Sequence, residues 1–294
     1  MGEERATAGG GEVSAVRGEG AAVRGEGAAG RGEGAAGRGE GAAGRREGAT
    51  GWRDGMRASV VWDALREVLT ARAGATGRDR LDVIDAGGGT GGFAVPLAVL
   101  GHAVTVVDPS PDSLAAAQRR AAEIDVRIAA VQGDAAELDG VVGEDAADLV
   151  ICHSVLEYVE SPADALAAIA RVLRPGGTVS VLAASFAAAI LHRAMAGRLA
   201  EARVLLDRAG DPGSSPASGG PGHFTLPGLR ALIEGAGLRP GPAHGVRIFA
   251  DLVPSALADT DPGAAEALRS LETAAATYPP LRDIAAKLHV LGHR

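Results

Sequence analysis

The stretch Asp85-Ala86-Gly87-Gly88-Gly89-Thr90-Gly91-Gly92 decides the fold. It follows a short apolar run, Leu81 to Ala86, that predicts a β-strand, and it precedes a segment reaching Leu100 that predicts a helix. Glycine is costly in backbone entropy, so a glycine-rich turn between a strand and a helix indicates a backbone that turns tightly and approaches a ligand closely. The stretch therefore predicts a ligand-binding turn at the carboxyl end of the first strand.

Strands and helices alternate on both sides of this turn. Before it, apolar residues recur near the helical period and predict a helix through Met56, Val60, Leu65, Val68 and Leu69. After it, the predicted strands are Ala103 to Val107, Val126 to Val131, Ala147 to Cys152 and Thr178 to Ala184. The helices between them are predicted at Ser110 to Ala122, with Ser110 as the cap, and at Pro162 to Leu173. Such alternation predicts an α/β fold with a mostly parallel, Rossmann-like sheet covered by helices on both faces.

Acidic residues lie at the ends of successive strands, where ligands of parallel sheets bind. Asp85 begins an acid-x-Gly-x-Gly-x-Gly pattern that runs through Gly87 and Gly89. Asp108 ends the second strand, and its two carboxylate oxygens can accept both ribose hydroxyls of a nucleoside. Asp134 follows the third strand and is placed to accept an adenine amino group. The glycine turn and Asp108 alone would also fit NAD.

The combined pattern resembles the class I S-adenosylmethionine-dependent methyltransferases. The resemblance runs from Leu81 to Ala184 and includes two further segments, Cys152 to Val159 after the fourth strand and the turn Leu173 to Gly177 before the fifth. It implies a seven-stranded sheet, S-adenosyl-L-methionine as the cofactor, and Gly87, Gly88 and Gly89 in the cofactor turn. Asp134 and the turn before the fifth strand favour this cofactor over NAD.

A closer resemblance, to the bacterial tRNA 5-carboxymethoxyuridine methyltransferases, extends over most of the region after the amino-terminal repeats. Its motifs are Asp54-Gly55-Met56-Arg57, His153-Ser154-Val155-Leu156-Glu157-Tyr158, Gly245-Val246-Arg247-Ile248-Phe249, Leu271-Glu272-Thr273 and His289-Val290. Those enzymes esterify the carboxylate of a modified wobble uridine. The resemblance implies that Arg57 meets the methionine carboxylate of the cofactor and that Asp108 and Pro109 flank its ribose. It also implies that Ala135, Ala136 and His153 line the cofactor site.

The acceptor side is less defined by the sequence. Arg247, near the end of a predicted sixth strand, is our candidate for orienting an acceptor carboxylate, and Tyr158 is predicted either to lie in the core or to cover the methyl group. A carboxylate is ionised at pH 7 and needs no general base, whereas a hydroxyl acceptor would make His153 or Glu157 a candidate base. No catalytic residue is assigned. The alternatives to a tRNA acceptor are a small-molecule O- or N-methyltransferase and, third, a non-catalytic regulator that binds the cofactor.

Several chemistry-bearing residues outside these motifs are predicted to be structural. Cys152 is predicted to pack in its strand, and His289 and His293, which lack an acidic companion, are predicted to be surface residues. The segment Phe186 to Ala209 predicts one long helix, whose arginines are interpreted as solvated charges, with phosphate contacts as the alternative: Arg193, Arg198, Arg203 and Arg208. The loop Asp211 to Gly222 is predicted to be mobile and able to close over substrate. No metal site is predicted.

The chain divides in composition after residue 51. Residues 17–51 repeat Arg-Gly-Glu-Gly-Ala-Ala followed by Val or Gly, which predicts a disordered tail at 1–51 and a methyltransferase domain at 52–294. With 29 basic against 37 acidic residues, the formal net charge of −8 argues against nonspecific attraction to nucleic acid or anionic membrane. The longest apolar-leaning run, Thr178 to Leu191, is shorter than the ~20 residues of a membrane-spanning helix, so we expect a cytoplasmic protein without a membrane partner.

Overall fold

The computed structural model describes residues 60–207, 222–254 and 262–294. The predicted tail at 1–51, Arg57, Arg208 and residues 211–221 of the predicted mobile loop lie outside the described residues. Within the three described ranges, no helix is long and apolar enough to cross a membrane. The same residues contain no group of three or more His, Cys, Asp or Glu side chains that could hold a metal ion.

Seven strands form one sheet, and helices connect them. In chain order the strands are β1 (Asp82–Ala86), β2 (Ala103–Asp108), β3 (Ala129–Gln132), β4 (Ala147–His153), β5 (Leu173–Ala184), β6 (Arg239–Val246) and β7 (Lys287–His293). The first helices are α1 (60–76), α2 (Ala94–Val99), α3 (Pro111–Ala122), α4 (Leu138–Val142) and α5 (Pro162–Val172). The later ones are α6 (Phe186–Met195), α7 (Leu199–Asp207), α8 (Leu226–Gly235), α9 (Pro262–Ala275) and α10 (Pro279–Arg282).

The sheet order is β3-β2-β1-β4-β5-β7-β6. The pairs from β3 to β5 are parallel, whereas β7 is antiparallel to both β5 and β6. The chain moves outward in one direction from β1 to β3 and in the other direction from β4 through β5 to β6, after which β7 inserts between β5 and β6. The carboxyl ends of β1 and β4 therefore flank the switch point at which α/β sheets bind their ligands. This architecture confirms the predicted mostly parallel, seven-stranded α/β fold.

Helices cover both faces of the sheet. On one face, α1 and α2 bury Leu65 and Leu97 against strand residues such as Leu149 and Ile151. On the other face, α5 and α8 contribute a second apolar cluster, built around Leu166, Ile169, Leu229 and Ile233. These apolar faces, at helical spacing on the helices and nearly continuous along the central strands, are what the sequence pattern predicted.

Two predicted elements differ from the structure. The third strand begins at Ala129 rather than Val126, because the Val126 amide donates to the Ala121 carbonyl at 3.0 Å and so closes the end of α3. The predicted long helix after Phe186 is two helices, α6 and α7, separated by a turn in which Gly197 has a φ of +74°. A residue with positive φ ends a right-handed helix, and glycine adopts it at little cost.

The predicted turn before the fifth strand lies within β5 as a bulge. Leu173 pairs with Ala147 and Thr178 pairs with Leu149, so residues 174–177 oppose the single residue Asp148. Asp148 is almost fully buried and accepts hydrogen bonds from three guanidinium groups at 3.0–3.1 Å, those of Arg72, Arg78 and Arg174. This ion cluster lies at the amino end of β4, opposite the ligand edge, and holds the bulge against α1.

Candidate cofactor and methyl-acceptor site

The turns after β1 and β4 meet at the switch point through Gly87 and Val155. Gly87 has a φ of +68°, and a Cβ atom added there would lie 2.3 Å from Val155 Cγ2. Its amide donates to the Val107 carbonyl at 2.7 Å, which ties the turn to β2. Only glycine satisfies both the left-handed backbone and this contact. The two turns thus form a cradle whose backbone is open to a ligand.

Asp108 is pinned in place before any ligand binds. Its Oδ2 accepts from the Gly89 amide and its Oδ1 from the Ser110 amide, both at 2.9 Å, and the residue is 8% exposed. Each carboxylate oxygen keeps a further lone pair, so the group can still accept two ribose hydroxyls. Pro109 lies between these contacts, and its carbonyl accepts from Gln132 Nε2 at 3.1 Å. The geometry fits the predicted ribose site.

Asp85 lies beneath the glycine turn. Burial raises the pKa of this carboxyl group to about 7, the Ala94 amide that donates to it works in the opposite direction, and the nearby Asp108 raises the pKa further. A Cβ atom on Gly88 would lie 2.6 Å from Asp85 Cγ, so the turn packs directly on this side chain. The carboxyl group therefore lies directly beneath the turn and supports it.

The third loop carries the predicted adenine contacts. Asp134 is exposed, and its Oδ1 accepts from the Ala136 amide at 2.8 Å, which caps the short 3-10 helix Ala135–Glu137. Ala135 is buried and Ala136 is half-buried. The capping bond uses one lone pair of the carboxylate, so it is compatible with an adenine contact. That contact stays a prediction.

His153 ends β4 next to the switch point and is held by an aromatic and a polar neighbour. Its ring lies edge-on to Phe93 at a centroid distance of 4.7 Å, and Phe93 stacks on Trp62 at 5.3 Å. Its Nε2 lies 2.8 Å from Ser180 Oγ in β5. The residue is 8% exposed, so it is a fixed group rather than a mobile surface histidine, and its contact with the cofactor stays a prediction.

Lys287, Glu157 and Ser154 form a charged cluster on the side of β5, and the sequence reasoning did not find this cluster. Lys287 Nζ lies 2.7 Å from Ser154 Oγ and 3.1 Å from Glu157 Oε1. Glu157 is 2% exposed, and its Oε1 also accepts from the Ala184 amide at 2.7 Å. Ser154 has a φ of +58°, a strained conformation typical of functional loops. One signal was available, since Lys287 is the only lysine in the sequence.

Arg247 follows β6 directly and lies at the same edge of the sheet. Its φ is +60°, its guanidinium is paired with Asp251, and its buried Nε has no hydrogen-bond partner among the described residues. The backbone after it is held by the buried Glu272, whose carboxylate accepts from the amides of residues 248, 249 and 250 at 2.7–2.9 Å. The structure thus joins two motifs that the sequence analysis named separately.

The remaining predictions divide into confirmed and wrong ones. Cys152 is fully buried, as predicted, and burial raises the pKa of its thiol. Tyr158 is 72% exposed, so a core position is wrong and a cover over the methyl group stays a prediction. His289 is fully buried, so the predicted surface position is wrong; β7 places it in the interior of the sheet. The arginines at 198 and 203 are exposed and paired with Glu201 and Asp207.

Comparison with known proteins places this site in a family context. A profile described as "Methyltransferase domain" matches residues 84–181. The chain is 29% identical to the tRNA 5-carboxymethoxyuridine methyltransferase of Escherichia coli K12, over 81% of this chain and 88% of that protein. It is 37% identical to a ubiquinone biosynthesis O-methyltransferase of Methylocella silvestris, over 38% of this chain and 44% of that protein.

The solved structures agree on the fold. A crystal structure of a SAM-dependent methyltransferase from Methanosarcina mazei superposes with a TM-score of 0.50 and 16% identity, over 74% of this chain and 93% of that one. The sheet order, the glycine turn and the domain match identify the chain as a class I S-adenosylmethionine-dependent methyltransferase, with S-adenosyl-L-methionine as its cofactor. Among the relatives described, the Escherichia coli tRNA enzyme is similar over the largest part of the chain.

Proposed function

We propose that the enzyme transfers the methyl group of S-adenosyl-L-methionine to a carboxylate, with tRNA bearing a carboxymethoxyuridine as the acceptor. The observation that carries the proposal is a pair of cationic side chains, Lys287 and Arg247, at the edge of the sheet where β6 ends and β7 begins, which we call the acceptor edge. Lys287 begins β7, and Arg247 follows Val246, the residue that pairs with Lys287 across β6 and β7. Both side chains are partly buried, at 20% and 26% exposure, and each is paired with a carboxylate, so a bound acceptor carboxylate would share or replace the partner of these cations.

The residues around the cradle have distinct roles in this proposal. Asp108 and Pro109 hold the ribose, and Asp134, Ala135 and Ala136 hold the adenine. Gly87 and Gly88 run along the methionine part, whose carboxylate Arg57 meets. The cofactor supplies a methyl group already activated for in-line displacement. Because an ionised carboxylate needs no general base, the enzyme has only to align the carboxylate with the methyl group. Such alignment can lower the activation barrier by up to roughly 7–11 kcal/mol.

The extent of the similarity supports a tRNA acceptor. The likeness to the Escherichia coli tRNA enzyme covers 81% of the chain, whereas the likeness to the ubiquinone enzyme covers 38%. The shorter match is about as long as a cofactor-binding half, which methyltransferases of many substrates share. The longer one covers too much of the chain to be confined to that half, so it extends into the acceptor side. A tRNA acceptor would also place the reaction in the cytoplasm.

A transfer assay with labelled cofactor tests the proposal. We expect label in tRNA that carries the carboxymethoxyuridine and release of that label by mild alkali, which cleaves methyl esters. Arg247→Ala should leave the Kd for the cofactor unchanged and lower kcat/KM at least tenfold, or about 1.4 kcal/mol. Arg203→Ala, which removes an exposed arginine paired with Asp207, is the matched control. Alkali-stable label in the tRNA would contradict carboxyl methylation.

One observation favours a small-molecule O-methyltransferase as the second candidate. The Oε2 atom of Glu157 is buried and has no hydrogen-bond partner among the described residues, so it could serve as the general base that a hydroxyl acceptor needs. In that case label would appear in metabolite extract and not in tRNA. Glu157→Gln would then abolish transfer, whereas methylation of a carboxylate would survive that substitution.

A further inference from the structure

A row of side chains crosses the sheet from the cofactor site toward its far edge. His153 in β4 pairs with Leu182 in β5, Leu182 with His289 in β7, and His289 with His244 in β6. Directly paired residues of neighbouring strands point to the same face. The three histidines therefore lie along one line on one face, over three strand spacings of ~4.8 Å, or about 14 Å.

Ser180 closes the gap between two of these histidines. It precedes Leu182 by two residues, so it also points to this face. Its Oγ lies 2.8 Å from His153 Nε2 on one side and 2.8 Å from His289 Nε2 on the other. His289 Nδ1 in turn lies 3.1 Å from His244 Nδ1. Those two rings are inclined by only 22° with centroids 5.3 Å apart, so they meet through their nitrogen edges.

The positions of the hydrogens along this hydrogen-bonded row depend on one another. Ser180 is fully buried and has a single hydroxyl hydrogen, so it donates to one ring nitrogen and accepts from the other. A neutral imidazole likewise donates through one nitrogen and accepts through the other. If His153 carries its hydrogen on Nε2, then His289 must carry one on Nδ1 and His244 one on Nε2. If His153 carries it on Nδ1, all three tautomers are reversed.

We infer that Ser180, His289 and His244 are positioning residues that together set the tautomer of His153 at the cofactor site. The hydrogen-bond direction at His244 determines the direction at His289, which determines the direction at Ser180 and therefore which nitrogen of His153 bears its hydrogen. The inference rests on the proposed placement of His153 beside the cofactor. It does not depend on the identity of the methyl acceptor.

The side chains around the row keep its histidine rings neutral, as the coupling of their tautomers requires. Burial lowers the pKa of His289 to about 3, and the charge of His244 lowers it further, so His289 is neutral at pH 7. Burial also lowers the pKa of His244, while Glu67 acts to raise it and Arg282 to lower it. His244, the end of the row farthest from the cofactor site, thus lies near one acidic and one basic side chain, whereas His153 forms the end nearest that site.

The first test is the nitrogen-15 NMR spectrum of the histidine side chains in the wild-type protein. We expect alternating tautomers: Nε2-H on His153 and His244 with Nδ1-H on His289, or the complete reverse. Because ring nitrogen shifts distinguish the two tautomers directly, this measurement needs no variant and no acceptor. A spectrum in which His153 and His289 carry their hydrogen on the same nitrogen would overturn the inference.

The second test removes the connecting hydroxyl. Ser180→Ala should change His153 to a mixture of tautomers and weaken binding of S-adenosylmethionine about fivefold, the order expected for one buried hydrogen bond. Ser180→Thr, which restores a hydroxyl, should recover both. The matched control is Thr178→Val. Thr178 lies on the same strand and also contacts a histidine of β7, His293, at 3.1 Å, but neither residue belongs to the histidine row.

The outcomes separate the two proposals. If Ser180 had only a structural role, Ser180→Ala would lower the Tm while the His153 tautomer stayed as in the wild type. That result would refute the coupling of tautomers along the row. A second outcome is that the tautomers alternate and respond to Ser180→Ala, but the His153 resonances do not move when S-adenosylmethionine is added. In that case the coupling along the row is correct and the placement of His153 beside the cofactor is wrong. If Ser180→Ala fails to fold, the wild-type spectrum still decides.

Discussion

Lys287 Nζ lies 3.1 Å from the Oε1 atom of Glu157, a carboxylate that is only 2% exposed. This contact joins β7 to the loop after β4 across β5, and it provides a cation for a charge that water cannot reach. A buried charge without a partner is far more costly than an exposed one. The ion pair therefore has a structural role besides any contact with an acceptor.

Lys287→Met should lower the free energy of unfolding by about 3 kcal/mol at pH 7, because it leaves the Glu157 carboxylate buried and uncompensated. Adding Glu157→Gln to this variant should recover part of the loss. Urea denaturation measures both. Arg203→Met, which breaks an exposed pair with Asp207, should cost less than about 1 kcal/mol. Equal losses for the lysine and arginine variants would contradict the role of burial.

Gly87→Ala should be much more destabilising than Gly89→Ala. Both glycines have positive φ, but a Cβ atom on Gly87 meets Val155 at 2.3 Å, whereas nothing lies within 4 Å of one on Gly89. The second change therefore costs only the left-handed backbone, about 1–2 kcal/mol. Val155→Ala in the Gly87→Ala background should recover the clash component. Thermal unfolding of these variants is the measurement, and indistinguishable Tm values for the two glycine variants would refute the close contact.

Asp108→Ala should weaken S-adenosylmethionine binding at least 100-fold. The change removes two ribose contacts to a charged acceptor, at about 1.5–3 kcal/mol each, and also frees the amides of Gly89 and Ser110. Isothermal titration gives the Kd directly. Asp112→Ala, which removes an exposed acid from the first turn of α3, is the control. An unchanged Kd in the Asp108 variant would show that the ribose lies elsewhere.

Asp85 should make the apo protein less stable as the pH rises from about 4 to 7. Its pKa is about 7 when folded and ~3.9 when unfolded, so in this window the folded state holds a proton that the unfolded state has released. The linked loss of stability is up to about 4 kcal/mol and is complete above pH 7. Asp85→Asn should remove this slope. Urea denaturation at pH 5 and pH 8 tests it: parallel pH profiles would exclude the buried proton.

The local structure of the proposed cofactor half could be predicted from the sequence because its signals are local. A glycine turn, an acid at the end of the next strand and a capping serine each act through neighbouring residues, and Gly87, Asp108 and Ser110 lie where the pattern placed them. The first strand and α3 were predicted for the same reason. Local propensity and periodicity are strong for such segments.

The acceptor half depends on contacts between residues far apart in the chain. Lys287 and Ser154 are 133 positions apart and Ser180 and His289 are 109 apart, so no local pattern connects them. His289 was placed at the surface because two histidines four residues apart indicate neither a strand interior nor a partner serine. The bulge at residues 174–177 was likewise invisible, since it depends on register against β4 and on the arginines around Asp148.

The position of β7 has a consequence for how the enzyme is made. β6 leaves the ribosome before β7, yet in the finished sheet it joins β5 only through β7. Lys287 and His289 lie on that strand, so neither the acceptor edge nor the histidine row exists until β7 enters between its two neighbours. A chain that has formed the glycine turn but not β7 therefore lacks the proposed acceptor site, and β7 completes that site only by pairing with strands far from it in the sequence.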